Sequence, residues 1–368
     1  MDPGSGKIWR STLTGLDATI EAGKPENPRQ RAKKFKSTDQ AFEYLEKEEW
    51  KKLKTGYVLR DPDAQPGAPL LRTYLGGGYT GALPLTQSNN GLFTTRFEQS
   101  TDSVLKLAPS GQMEVVAELP EQTLVLDMSY SQELGRLLLN VDHSILSWHP
   151  ETPKKCDAIT DGKGAPASCL SVGGSRLVFF DPPNLVVQDG QADEQVFKTE
   201  CKPESYGGHA PQLCAALSPD GSVLAVCSKP GALSFFRIDD GKELGEIQAD
   251  FNMIEKLEFD ITGDLLIGLG ECVPWGPLFF DVPSMSLVEP PIELPRLREG
   301  GMDFALHPDR RWFAVTSWDQ VFVFDLNKTQ VVATIHLEHL AKRSGVHFVG
   351  DQLAVRTDLG CLSLYRIQ

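Results

Sequence analysis

The chain has 368 residues and a formal net charge of −14, long enough for two domains. Its hydrophobic share of 40% and charged share of 23% exclude a disordered acidic polymer and suit a globular protein. Residues 1–66 carry 13 Lys/Arg against 11 Asp/Glu, while residues 67–368 carry 23 against 39, so long-range repulsion confines any nucleic-acid contact to the first 66 residues.

In chain order, Ile8-Trp-Arg-Ser-Thr-Leu13 and Asp17-Ala-Thr-Ile20 predict two strands around a Thr14-Gly15 turn. The polar stretch from Gly23 to Arg31 predicts a loop, and Ala32-Lys-Lys-Phe-Lys36 a third strand. Alternation would place Lys34 and Lys36 on one face and Lys33 and Phe35 on the other. A helix follows, with Ser37 as its cap and Gln40 three residues on. Phe42, Leu45, Trp50 and Leu53 supply its apolar contacts, Lys51, Lys52 and Lys54 oppose its dipole, and Gly56 ends it. Lys24, Arg29, Arg31, Lys34 and Lys36 form the candidate phosphate-binding set.

The wording Lys34-Phe-Lys-Ser-Thr-Asp-Gln-Ala41 and Lys51-Lys-Leu-Lys-Thr-Gly-Tyr57 resembles a WGR domain over about residues 7–60. The resemblance implies a small α+β module of the kind found in poly(ADP-ribose) polymerases and in bacterial regulator-like proteins, so a bacterial source is expected. It also implies DNA contact through the name-giving Trp-Gly-Arg. That triplet aligns here with Ala22-Gly23-Lys24, so the aromatic is missing. The stacking it would supply is worth roughly 1–3 kcal/mol per base.

From residue 67 onward a short pattern recurs: a turn, an apolar strand with aromatics, then a polar turn. It reads Ser103-Val-Leu-Lys-Leu-Ala-Pro109, Ser144-Ile-Leu-Ser-Trp-His-Pro150, Asn184-Leu-Val-Val-Gln-Asp-Gly190 and Ala232-Leu-Ser-Phe-Phe-Arg-Ile-Asp239. It returns as Pro277-Leu-Phe-Phe-Asp-Val-Pro283, Val321-Phe-Val-Phe-Asp325 and Cys361-Leu-Ser-Leu-Tyr-Arg-Ile367. The steps are 41, 40, 48, 45, 44 and 40 residues, the period of a four-stranded propeller blade. Seven sets predict a mainly β chain: a seven-bladed β-propeller over 67–368 preceded by a small domain over 1–66. The seventh set stops at Gln368 without an outer strand, and residues 69–75 are expected to complete it.

Gly208-His209, Leu217-Ser-Pro-Asp-Gly221 and Phe236-Arg-Ile-Asp239 resemble a WD-repeat blade. The family's Trp-Asp pair is replaced by Ile238-Asp239, Phe280-Asp281 and Phe324-Asp325; the literal Trp318-Asp319 lies one strand earlier, in a turn. The resemblance implies that His209 braces its blade. Asp142, Asp319 and Asp358 occupy turn positions, where a carboxylate braces the chain through backbone N–H groups.

No apolar run approaches the ~20 residues of a membrane span, and Met1 to Arg10 lack the core of a signal peptide. A cytoplasmic monomer is expected. The seven cysteines are scattered, without a CxxC pair, and read as buried thiols. No Gly-x-Ser-x-Gly, phosphate loop or His-Glu-x-x-His occurs, so no catalytic residue, metal ligand or cofactor is assigned. Asp181, Asp260, Glu271 and Asp303 are the acidic residues that would converge if a channel site existed. Three readings stay open. The first is a non-catalytic scaffold that binds another protein, with the WGR-like module as adaptor. The second is a factor touching DNA through residues 20–36. The third is a metal-dependent propeller hydrolase.

Overall fold

The structure, a computed structural model, describes residues 2, 4–76, 82–89, 91–98, 100–141, 144–149, 156–160, 169–204, 213–270, 276–294, 303–309 and 311–368. Gly77, Asp142, His209 and Glu271 therefore lie outside the described residues. No helix among the described residues is long and apolar enough to cross a membrane.

The N-terminal part is a three-stranded antiparallel sheet of β1 (Ile8–Thr14), β2 (Asp17–Lys24) and β3 (Asn27–Lys34), followed by α1 (Thr38–Leu53). The Ser37 side chain accepts a hydrogen bond from the backbone N–H of Gln40 at 3.3 Å, filling one of the unpaired donors of the first turn. Trp9, Ile20 and Tyr57 form the small core, with Tyr44 and Leu45 of the helix against it. One expectation is corrected here. The third strand begins at Asn27, not Ala32, and pairs with β2 along its whole length. β3 is an edge strand with almost every residue exposed. Pro28 and the charges that suggested a loop are the chemistry of an edge, where a missing donor is tolerated and charge discourages further pairing.

The remaining strands form seven consecutive antiparallel sheets. They span Leu85–Glu118, Val125–Ala158, Leu170–Glu200, Cys214–Gln248, Ile254–Val288, Phe304–His336, and Ser344–Arg366 with N-terminal additions; they are numbered I to VII below. Sheets I to VI have four strands in chain order. Sheet VII has three of its own, to which β5 (Pro69–Tyr74) adds a fourth by pairing with Cys361–Arg366. β4 (Leu59–Arg60) then adds a fifth against β5. Two residues are too few to show a period, so this strand has no sequence signature.

The first strand of each sheet packs against the first strand of the next, and that of sheet VII against that of sheet I, so the circuit closes. Gly345, in the first strand of sheet VII, is required there: a Cβ would lie 2.5 Å from the carbonyl oxygen of Leu83. Apolar cores fill the seams. Leu137 and Leu139 of sheet II pack with Phe93 and Val104 of sheet I. Phe235 of sheet IV meets Phe280 of sheet V, and Phe313 of sheet VI meets Phe279 of sheet V. Leu92 and Leu105 of sheet I meet Ala354 and Leu362 of sheet VII.

Truncation separates the two N-terminal contributions to sheet VII. Deleting residues 1–66 removes β4 and the partner of a buried arginine on β5, and lowers Tm by roughly 5–10 °C while leaving one cooperative transition. Deleting 1–76 also removes β5 and abolishes cooperative unfolding in calorimetry. Equal behaviour of the two truncations would show that β5 does not hold the ring.

Candidate functional site

The first strands surround an axial cavity of about 440 Å³. Leu83, Leu126 and Val172 add apolar patches to a wall that is otherwise largely polar. Against this wall stand Asp127, Lys256, Glu258, Asp303 and His347, from four different sheets. Strand periodicity explains the placement in sheet V. Along Ile254–Phe259, Leu257 and Phe259 join the core shared with sheet IV, while Lys256 and Glu258 point toward sheet VI.

Asp303 clasps three sheets. Its carboxylate lies 2.9 Å from the ammonium of Lys256 in sheet V and accepts the N–H of Val346 in sheet VII at 2.9 Å. The same carboxylate accepts the N–H of Phe304 at 2.8 Å, and Lys256 also donates to the carbonyl of Phe304 at 2.5 Å. Burial works against the charge of Lys256, but Asp303 and Glu258 outweigh it and hold the ammonium above its usual range. His347 accepts the N–H of Gln87 at 3.1 Å through Nε2, so its proton resides on Nδ1. Burial and the nearby Lys256 push this imidazole down to about 4, leaving it neutral at pH 7.

The carboxyls of Asp127 and Glu258 behave oppositely to those of exposed acids. Both are open to the cavity yet surrounded by protein, and this desolvation pushes Asp127 up to about 6 and Glu258 up to about 7. Of the described acidic residues expected to converge, Asp181, Asp260 and Asp303, only Asp303 lines the cavity. Asp260 is buried in its own turn, where it accepts from Thr262 Oγ1 at 2.8 Å and the N–H of Leu265 at 3.2 Å. Asp181 is an exposed strand end. Asp127, Lys256, Glu258 and His347 were missed because they come from three separate sheets, far apart in sequence. One signal was present: Ile254-Glu-Lys-Leu-Glu-Phe259 puts charges where the equivalent strands read Cys214-Ala-Ala-Leu217 and Phe304-Ala-Leu306.

A second polar cluster joins α1 to sheet VII. Arg72 of β5 is almost fully buried and donates to Glu49 of α1 at 2.5 Å and to Glu338. His339 Nε2 meets Glu49 at 3.1 Å, and its ring stacks on Trp50 at 4.8 Å. Burial alone would raise the Glu49 carboxyl, but His339 and the Arg72 guanidinium hold it below the ordinary range. Glu49, Glu338 and His339 offer three ligand atoms within 4.8 Å of one another. Arg72 already pairs with both carboxylates, so a cation would have to displace a buried guanidinium.

The predicted basic set does not form one surface. Arg29 and Arg31 lie opposite Ala22 and Ile20 of β2, on the sheet face that packs against the helix. Arg31 comes within 3.9 Å of Glu48, and the neighbouring Lys33 covers the rings of Phe35 and Tyr44. Lys34 is on the opposite face, Lys24 ends β2, and Lys36 lies beyond the strand, so the expected pairing of Lys34 with Lys36 on one strand face is corrected. Of the turn aspartates, Asp358 accepts the backbone N–H groups of Ala341, Lys342 and Arg343 at 2.7–2.9 Å. Asp319 supplies its backbone carbonyl to Leu337 N–H at 2.6 Å. The described cysteines are free thiols, and burial pushes Cys156 and Cys361 up to about 11, too high for a ready nucleophile.

Substituting Asp127→Asn or Glu258→Gln removes a raised carboxyl. The fold then loses less stability as pH rises from about 4 through 7, because a carboxyl with a raised folded pKa destabilises the fold once it ionises. Each variant should melt ~2 °C or more above the parent at pH 8 and at the same temperature at pH 4. A gain confined to low pH would contradict the assignment.

No family model matches this chain, and no curated protein matches it. Among solved structures, a chain from "Crystal Structure of Mitotic Checkpoint Complex" superposes with a TM-score of 0.63 at 15% identity, covering 84% of this chain and 97% of that one. At such identity the likeness speaks for the fold alone: this chain contains a β-propeller.

Proposed function

We propose that this chain is a non-catalytic protein-interaction platform: a seven-bladed WD-repeat-like ring over residues 67–368, carrying a WGR-like module over 1–66 as adaptor. Leu59–Arg60 lace the module to the last blade. The observation that carries the reading is Trp318. It stands 53% exposed at a hairpin tip with φ +54°. A bulky side chain in the left-handed region costs about 1–2 kcal/mol, and more than half of this one's surface stays open to solvent. A strained, exposed tryptophan is the residue type that dominates protein interfaces.

Two further exposed apolar side chains support a surface rather than a point. Residues 337–343 run between sheets VI and VII, and their hydrogen bonds include those to Asp319, to Asp358 and, through His339 N–H at 3.5 Å, to Glu46 of α1. Trp318 and Leu359, the latter 41% exposed, each adjoin one of these anchors in sequence, and Phe42, 61% exposed, lies one helical turn before the third.

Trp318→Asn tests this reading, since Asn tolerates the left-handed backbone. Tm should hold or rise, while affinity for the partner captured by the parent chain falls about thirtyfold, as for an interface tryptophan. Undiminished affinity in Trp318→Asn and Leu359→Ser together would refute it.

The exposure of Arg29, Arg31 and Lys34 on the edge strand β3 favours one second reading, weak contact with DNA through these residues and the neighbouring Lys24 and Lys36. Charge reversal of Lys24, Arg29, Arg31 and Lys34 should then abolish a gel shift at low salt. Absence of any shift by the parent chain would dispose of it.

A further inference from the structure

β3 is an open sheet edge with only one side of its backbone paired. The N–H of Phe35 donates to the carbonyl of Leu16 at 2.9 Å, and the β2–β3 ladder continues without a register shift from Asp17↔Lys34 to Lys24↔Asn27. Bonded pairs alternate along an antiparallel ladder. Asn27, Arg29, Arg31 and Lys33 therefore turn their backbone groups toward β2, and Pro28, Gln30, Ala32 and Lys34 turn theirs outward. Pro28, which has no N–H, thus sits where the ladder needs none. The outward N–H groups of Gln30, Ala32 and Lys34 have no partner among the described residues.

Charge selects what can pair there. Asn27 to Lys36 hold five Lys/Arg and no Asp/Glu. Arg29, Arg31 and Lys33 share the face that carries Ala22, Ile20 and Ala18 of β2, and Lys34 lies on the other. Like charge repels a second β3, so the edge avoids copies of itself. The sign reverses for an acidic strand. A strand laid along β3 sets its side chains directly opposite, about 4.5–5.5 Å away at Cβ, so an acidic residue at every second position meets Arg29, Arg31 and Lys33. A duplex finds no flat basic plane on that face, where Arg31 lies 3.9 Å from Glu48 and Lys33 covers Phe35 and Tyr44. The edge itself stays exposed. Residues 67–368, with 23 Lys/Arg against 39 Asp/Glu, repel an acidic segment and confine it to the module.

We propose that β3 docks an extended acidic segment of another protein, added antiparallel as a fourth strand of the N-terminal sheet, with Asp or Glu at alternate positions opposite Arg29, Arg31 and Lys33. In strand addition the main-chain hydrogen bonds hold the segment and the side chains select it. Exposed ion pairs are individually weak and screened by salt, so charge decides which strand enters and the ladder fixes its register. The assignment rests on the adaptor role given to the module above and says what the module holds; it needs nothing from Trp318.

Titration of the full chain with a fluorescent peptide that alternates glutamate with threonine tests the proposal. At low salt this peptide should bind saturably, and one alternating lysine with threonine should not. Amide exchange read residue by residue should slow at Gln30, Ala32 and Lys34 and stay unchanged at Arg29 and Arg31, which already pair with β2. In the antiparallel ladder the threonine N–H groups face β3, so N-methylating the threonines should weaken binding about tenfold and N-methylating the glutamates should not. Ala32→Pro removes one outward N–H at an edge that tolerates proline and should cause a similar loss with Tm unchanged; Arg29→Glu gives the same readout if Ala32→Pro does not fold. Trp318→Asn should leave peptide affinity intact, so this assignment and the Trp318 reading fail separately. Equal affinity of the threonine-methylated peptide, or no saturable binding at millimolar concentration, overturns the proposal. Slowed exchange at these amides with a DNA duplex or with a second copy of the chain, and not with the peptide, overturns it in favour of that occupant.

Discussion

Every sheet of the propeller buries apolar side chains against two neighbours, and the whole molecule depends on that arrangement. A single four-stranded sheet of this length cannot bury enough area to stand alone. Seven seams, each with its own core, share the burial around a closed circuit. Closure also means that no sheet keeps an unpaired apolar face. Phe279, Phe313 and Phe324 illustrate the economy of the packing, as successive rings contact across the seam of sheets V and VI at centroid distances of 5.6 and 6.1 Å.

Polar chemistry is thereby displaced to two places. One is the ring axis, where small and charged residues replace the apolar side chains of the seams. The other is the join between α1 and sheet VII, where Arg72 satisfies carboxylates from both domains. Removing either carboxylate leaves a buried charge underpaired, which fixes the helix on the ring more firmly than apolar contact alone. The rim around residues 337–343 inherits that rigidity, because the same loop carries Glu338 and His339.

Much of the architecture was legible in the sequence. Strand recurrence every 40–48 residues and the Ser37 cap rest on local chemistry, and local chemistry is what a sequence displays. β3 was misread because an edge strand and a loop use the same residues: Pro28, Arg29 and Arg31 suit both. β4 was invisible because Leu59–Arg60 acquire strand geometry only from β5. The cavity was read only in part. Asp303 was among the candidates, yet its meeting with Lys256, 47 residues earlier, is a product of the ring and not of any motif. Its junction counterpart was out of reach for the same reason, since Glu49 and His339 lie 290 residues apart.

The pairing of β5 with the last strand has a consequence for how the molecule is made. Sheets I to VI are each built from consecutive strands, so each hairpin can form as soon as it leaves the ribosome. Sheet VII cannot. Its outer strand is synthesised before sheet I and must wait until Cys361–Arg366 emerge before this edge is paired. Through that interval β5 presents an open edge with Leu70 and Leu71 on it, the kind of surface that recruits chaperones or wrong partners. The helix module is already synthesised upstream, and β4 pairs with the opposite edge of β5. One of the two edges of β5 is thus covered by a neighbour made before it, while the other stays open until the last strand arrives.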